Sequence, residues 1–348
     1  MRLLHVLPCL LISLTTGVGA QAQADALAGW LEDISSPGRA ASVYFWEDGQ
    51  GEAAAHGPYG SRKRKVTPAD PFLLASVSKA YTAVAVVKLA EQARIDLDAP
   101  IGTYLPEELI DHLPGLDRIT VRQALGMRTG LVEYYTEENP EAASGKTPET
   151  LLEYVYDEPL NFSPGTAYEY SNTNYLLAEI LLREVTGLRF GPALDRLVFR
   201  PAGLNNSAVL GYGIGPNNMV MGYQRGDLET VADIRRLYSG YGFGDGGVVA
   251  TAEDVGRFYR ALLIDRSLLG DWGLRQITSD PEGDGYGLGI DVAEEGEMGL
   301  VYGHAGSDTG YLTDVRLTLD PPAVAVILTA EAESDTELTY TLLSEGLD

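Results

Sequence analysis

Cysteine is nearly absent from this 348-residue chain, and the only one, Cys9, lies close to its start. Downstream of it there is no disulfide framework, no thiolate metal site and no thiol nucleophile. Histidine is also scarce. Beyond the first residues only His56, His112 and His304 remain, without close Asp or Glu spacing, so neither a metal nor any other cofactor is expected. Positive charge is thin: five lysines and 20 arginines face 50 acidic residues, for a formal net charge of −25. Such a surface repels polyanions and excludes nucleic acid and anionic membranes as partners; it also suits salty surroundings. The basic run Ser61-Arg62-Lys63-Arg64-Lys65 reads as a solvated loop. The one long apolar stretch, Leu3 to Ala20, is interrupted by Pro8, Ser13, Thr15 and Thr16, which argues against a membrane span.

That stretch follows Arg2 and ends in small residues (Val18-Gly19-Ala20, Ala22-Gln23-Ala24), the layout of a cleavable export signal over residues 1–24. The expected location is therefore periplasmic or secreted, with one functional domain over residues 25–348. Strand-like runs from Ala40 to Trp46 and Gly51 to His56 flank a hairpin turn at Glu47-Asp48-Gly49-Gln50. Apolar spacing predicts a helix from Ser76 to Arg94, with Val77, Ala80, Tyr81, Val84 and Val87 on one face.

Residues 95–244 read as mostly helical, including Val121 to Met127, Thr147 to Asp157 behind an N-cap threonine, Thr173 to Thr186 and Pro192 to Phe199. Strands return at Tyr286 to Val292, Leu300 to Gly303, Tyr311 to Leu319 and Ala323 to Thr329, with a closing helix from Ser334 to Leu343. Strands at both ends around a helical middle predict an α+β fold. Its antiparallel sheet (about 25–94 and 245–348) carries terminal helices and an inserted all-helical subdomain at about 95–244.

Three short polar patterns carry chemistry. In Ser76-Val77-Ser78-Lys79, residues three apart share a helical face, so a lysine can act as base for the Ser76 hydroxyl beside the N–H groups of a helix start. In Tyr170-Ser171-Asn172, a phenol of depressed pKa shuttles the proton and an amide holds the lysine and a substrate carbonyl. In His304-Ala305-Gly306, at a strand end beside an edge, glycine admits substrate backbone, histidine supplies a hydrogen bond or charge, and the Ser307 N–H is a second oxyanion donor. Each pattern alone has a plain structural explanation: a cap serine with a surface lysine, a satisfied tyrosine, a turn histidine. Their joint occurrence, once each and in this order, points to a serine acyl-transfer enzyme. Gly242 to Gly247 reads as a tight loop near the cleft rather than a phosphate cradle. Tyr238, Tyr241 and Phe243 line the pocket or pack in the core.

With these motifs, Ile95-Asp96-Leu97-Asp98-Ala99-Pro100-Ile101, Ser163-Pro164-Gly165-Thr166, Gly246-Gly247-Val248-Val249-Ala250-Thr251-Ala252-Glu253-Asp254 and Tyr286-Gly287-Leu288-Gly289, nearly the whole chain resembles the class C β-lactamases, serine DD-peptidases and β-lactamase-like esterases. The resemblance implies Ser76 as acylated nucleophile, Lys79 and Tyr170 as proton-transfer pair, Asn172 as positioner, and the Ser76 and Ser307 N–H groups as oxyanion hole. Two segments depart from it. His304-Ala305-Gly306 stands where such enzymes carry Lys-Thr-Gly or His-Thr-Gly, and Met127-Arg128-Thr129-Gly130 where His-Thr-Ser-Gly is usual. Losing one charged hydrogen bond to a substrate carboxylate costs about 1–3 kcal/mol. Efficient β-lactam hydrolysis is therefore not expected. The expected substrates are small esters or D-amino-acid peptides and amides; the competing expectation is a catalytically weak binder of penicillin or cell-wall peptide using the same cleft.

Overall fold

The computed structural model describes residues 23–35, 38–60, 64–136, 146–222, 242–331 and 337–346. Residues 1–22, Tyr238, Tyr241 and part of the basic run lie outside these. Helix α1 (23–34) precedes strands β1 (Ala41–Glu47) and β2 (Gln50–His56). The two-residue turn between them, Asp48-Gly49, has φ of 51° and 81°, the pairing that matches the right-handed strand twist. Strand β3 (Phe72–Leu73) leads into a 3₁₀ turn, Ala75–Val77, and then α2 (Ser78–Glu91).

The next elements are α3 (Glu107–His112), α4 (Val121–Leu125), α5 (Pro148–Leu152), α6 (Thr173–Thr186) and α7 (Phe190–Leu194). Thr120 and Thr147 cap α4 and α5 with full capping boxes. The stretch expected to be all-helical also carries two short strands, β4 (Ala208–Leu210) and β5 (Gly213–Ile214). They join β3 and β6 (Val248–Ala250) in a small second sheet of order β3-β6-β4-β5. The chain ends with α8 (Ala252–Tyr259), α9 (Asp271–Thr278), β7 (Asp291–Glu294), β8 (Leu300–Asp308), β9 (Tyr311–Leu319), β10 (Pro322–Thr329) and α10 (Leu338–Glu345).

The main sheet is antiparallel in the order β2-β1-β10-β9-β8-β7. Side chains alternate across it. Val43, Phe45, Ala325 and Ile327 meet Leu27, Leu31 and Leu342 of the terminal helices, whereas Tyr44, Trp46, Val324 and Val326 join the large core around α2 and α8. Covered on both faces, β1 and β10 read as nearly continuous apolar runs.

Two differences from the sequence expectations bear on function. Of the predicted strand Tyr286–Val292 only the last two residues lie in a strand, β7; residues 286–290 form a loop closed by a Tyr286–Asp291 bridge. Gly289 has φ +78°, and a Cβ there would stand 2.9 Å from the Lys79 carbonyl, so this loop folds down onto α2. The predicted strand Leu300–Gly303 continues to Asp308, which places His304-Ala305-Gly306 inside β8 rather than at its end. Only residues 300–303 pair with β7, however, so the His304–Asp308 half pairs with β9 alone and forms an open edge.

Candidate active site

The turn that carries Ser76 is forced. Ala75 has φ +47°, a conformation costly for a residue with a Cβ. Three hydrogen bonds tie this corner to the 244–248 loop: Leu74 N–H to Val248 O, Val248 N–H to Ser78 Oγ at 2.9 Å, and Thr82 Oγ to Gly244 O at 2.7 Å. β8 closes the other side. A Cβ on Gly306 would lie 2.5 Å from Leu74 O and 2.9 Å from Ser76 N, so what this glycine admits is the serine turn itself.

Within that frame Ser76 is half-buried and Lys79 fully buried. Lys79 Nζ donates to Ser76 Oγ at 2.9 Å and to the Asp245 carbonyl at 2.7 Å, not to the Asn172 amide as the sequence suggested. Burial holds the Lys79 ammonium down to about 8, against the pull of Asp245, Glu133 and Asp308. The Tyr170 hydroxyl faces that of Ser76, and the Tyr170 ring lies 4.9 Å from Lys79 Nζ. Tyr170 as a whole is 37% exposed, yet burial around its hydroxyl raises the phenol above its usual range. The depressed phenol expected from sequence is thus reversed: Tyr170 stays protonated, and the lysine is the group that loses its proton near neutrality.

Asn172 begins α6, and its backbone N–H donates to Glu133 Oε2 at 2.6 Å. Glu133, absent from the sequence reading, also takes the Tyr135 N–H at 2.8 Å and fixes the Tyr170 loop against the 131–136 segment. Met127-Arg128-Thr129-Gly130 lies beneath the same loop. Glu169 N–H donates to Met127 O at 3.0 Å, and Thr129 Oγ1 donates to Asn174 Oδ1 at 2.7 Å. Asp245 was missed as well: its side chain accepts the Tyr134 hydroxyl at 2.7 Å while its carbonyl holds Lys79. The glycines around it were the only signal in the sequence.

His304 is brought to the site but differs from its expected role. It is 3% exposed. Its Nδ1 lies 2.5 Å from the Ala305 carbonyl, which only accepts, so Nδ1 carries the hydrogen and Nε2 takes the Tyr286 hydroxyl at 3.2 Å. Both ring nitrogens are occupied within the protein, and burial lowers the imidazole below its usual range. His304 is therefore a neutral residue under an aromatic group of Tyr168, Tyr170 and Tyr286, not a charge offered to substrate. Ser307 is exposed on the open half of β8, opposite Leu312. Phe243 is buried at 6% exposure and packs in the core. Among the described residues no group of three His, Cys, Asp or Glu side chains is close enough to hold a metal, and no helix is long and apolar enough to cross a membrane.

A half-buried serine touched by a buried lysine and a tyrosine hydroxyl, between a sheet edge and a helical region, defines a class of serine hydrolase fold. The β-lactamase family's sequence pattern matches residues 32–345, and the chain belongs to that family. It is 25% identical over 275 residues to a putative penicillin-binding protein PbpX and 24% identical over 306 residues to penicillin-binding protein 4*, both from Bacillus subtilis. Those matches cover 77% and 81% of this chain and 65% of each relative's length. Among solved structures, a penicillin-binding protein from Bacillus halodurans superposes with a TM-score of 0.78 at 21% identity, over 92% of this chain and 98% of that one. A D-stereospecific amidohydrolase from Streptomyces sp. gives 0.75 at 23%, over 93% and 98%. A D-amino acid amidase from Ochrobactrum anthropi SV3 gives 0.76 at 21%, over 88% and 91%.

Proposed function

We propose that the chain is an exported serine hydrolase that forms an acyl-enzyme on Ser76 with small esters or D-amino-acid peptides and amides. The observation that carries this reading is the 2.9 Å contact between Ser76 Oγ and a buried Lys79 amine brought to about 8. At neutral pH part of the lysine is free amine. With one N–H held by Asp245 O, its lone pair takes the Ser76 proton as Oγ attacks the substrate carbonyl. Tyr170, protonated and facing Ser76, passes a proton to the departing alkoxide or amine and recovers it from the lysine. The Ser76 and Ser307 N–H groups receive the oxyanion. Water, activated by the same pair, then releases the acid and restores Ser76.

A neutral, occupied His304 and acidic Glu133, Asp245 and Asp308 near the lysine favour substrates without a free carboxylate at the scissile end. The D-amino-acid part of the reading draws on the D-stereospecific amidohydrolase and the D-amino acid amidase that share the fold. Turnover of nitrophenyl butyrate, a D-amino-acid amide, a D-Ala-D-Ala peptide and a chromogenic cephalosporin tests it, together with fluorophosphonate labelling. The expected result is labelling at Ser76 and turnover of the ester or amide ahead of the cephalosporin, both abolished in Ser76→Ala. Labelling that survives in Ser76→Ala rejects the nucleophile. A penicillin adduct on Ser76 without turnover of any substrate identifies the binder instead.

A further inference from the structure

Helix α6 carries a carboxylic acid on its buried face. Glu179 is 3% exposed, and its Oε2 accepts the Gly244 N–H at 2.8 Å. From the opposite side Thr82 of α2 donates its hydroxyl to the carbonyl of the same glycine at 2.7 Å. Both polar groups of residue 244 are thus gripped, one from each helix. The fit leaves no room for a side chain: a Cβ on Gly244 would stand 2.5 Å from Tyr175 O and 3.0 Å from Glu179 Cβ. The next carbonyl along the chain, that of Asp245, accepts the Lys79 N–H at 2.7 Å. Burial raises the Glu179 carboxyl to about 8, so it is largely uncharged at neutral pH. Arg183, one turn on, is engaged with Glu149.

We propose that Glu179 is a positioning residue for the reaction: with Thr82 it clamps Gly244, so that the Asp245 carbonyl holds one Lys79 N–H and directs the amine lone pair at Ser76. An amine has three directions in which it can rotate its lone pair. Fixing one N–H on the Asp245 carbonyl rules out one of the three and leaves the direction toward Ser76 open, and a displacement of about 1 Å at a reacting group costs on the order of 10²-fold in rate. The inference rests on the reading of Lys79 as base.

Its test uses the full chain, nitrophenyl butyrate and four variants: Glu179→Leu, Glu179→Gln, Thr82→Val and Lys79→Met. kcat is taken per mole of folded protein, and KM and Tm are recorded alongside. Glu179→Leu and Thr82→Val are expected to lower kcat by about tenfold or more with KM changed less than about twofold. Glu179→Gln recovers most of that loss, because an amide carbonyl accepts the same N–H. A folded Glu179→Leu protein with wild-type kcat overturns the inference, as does a Gln variant as slow as the Leu variant. Should the leucine variant not fold, Thr82→Val decides: wild-type kcat there also overturns it. Lys79→Met with undiminished acylation removes the base reading itself. Wild-type kcat in Glu179→Leu beside an inactive Lys79→Met removes only the clamp.

Discussion

A lysine that accepts a proton at neutral pH must first be stripped of its own, and at Lys79 burial does this. Desolvation disfavours the ammonium more than Asp245, Glu133 and Asp308 favour it, leaving the group at about 8. Tyr170 is shifted by the same force in the direction that keeps its proton. The two groups therefore make opposite pH predictions. If free lysine is the base, kcat/KM for a neutral ester rises about tenfold per pH unit below roughly pH 8 and levels above it. If phenolate were the base, the rise would continue beyond pH 10.0. Tyr170→Phe is expected to lose about 10²- to 10⁴-fold in rate yet keep the midpoint of the lysine limb, since only the proton relay is removed. Lys79→Met is expected to lose a similar factor together with the limb. A pH–rate profile in which the phenylalanine variant loses its limb would move the base to the tyrosine.

Between elements, the decisive contact is β8 against the Ala75–Val77 turn. Gly306 is the point of closest approach, with Leu74 O and Ser76 N where a methyl group would stand. Gly306→Ala is therefore expected to push the sheet edge off the serine turn. The cost is about 1–3 kcal/mol of stability from overpacking, and on the order of 10²-fold in kcat as Ser76 and the open half of β8 separate. Urea unfolding and ester kinetics on the same preparation check both; a variant that loses stability alone would show the contact to be packing without catalytic consequence.

The sequence showed whatever depends on near neighbours: the Asp48-Gly49 hairpin, the Thr173–Thr186 helix, the Tyr311–Leu319 strand, and the three motifs with their order. It did not show what depends on distant segments meeting. The Asp245 carbonyl reaches Lys79 across 166 positions. Tyr286 neutralises the usefulness of His304 as a cation; the Tyr286-Gly287-Leu288-Gly289 segment was visible in the sequence, but not that its tyrosine meets a histidine 18 positions on. The direction of the Tyr170 shift follows from how deeply a hydroxyl is buried, which no spacing records. The left-handed Ala75 likewise has no composition signal, because alanine elsewhere prefers the helix the periodicity suggests.

For the whole molecule the governing quantity is charge. A net charge of −25 surrounds a cleft whose nearest cation, Lys79, is partly neutral at working pH and whose neighbours include Glu133, Asp245 and Asp308. The field opposes the approach of anionic substrates and the compactness of the fold itself, and salt screens both. The Debye length falls from about 30 Å at 0.01 M to about 3 Å at 1 M. Raising NaCl through that range is therefore expected to raise Tm. It should also raise kcat/KM for an anionic ester, such as a nitrophenyl hemisuccinate, by about tenfold, the low end of electrostatic effects on association. For neutral nitrophenyl butyrate kcat/KM should stay nearly level, because there is no charge to screen. The ratio of the two substrates cancels any general effect of salt on the enzyme. A ratio that does not move, or a Tm indifferent to salt, would mean that the acidic surface is distributed too far from the cleft and too evenly over the fold to act on either.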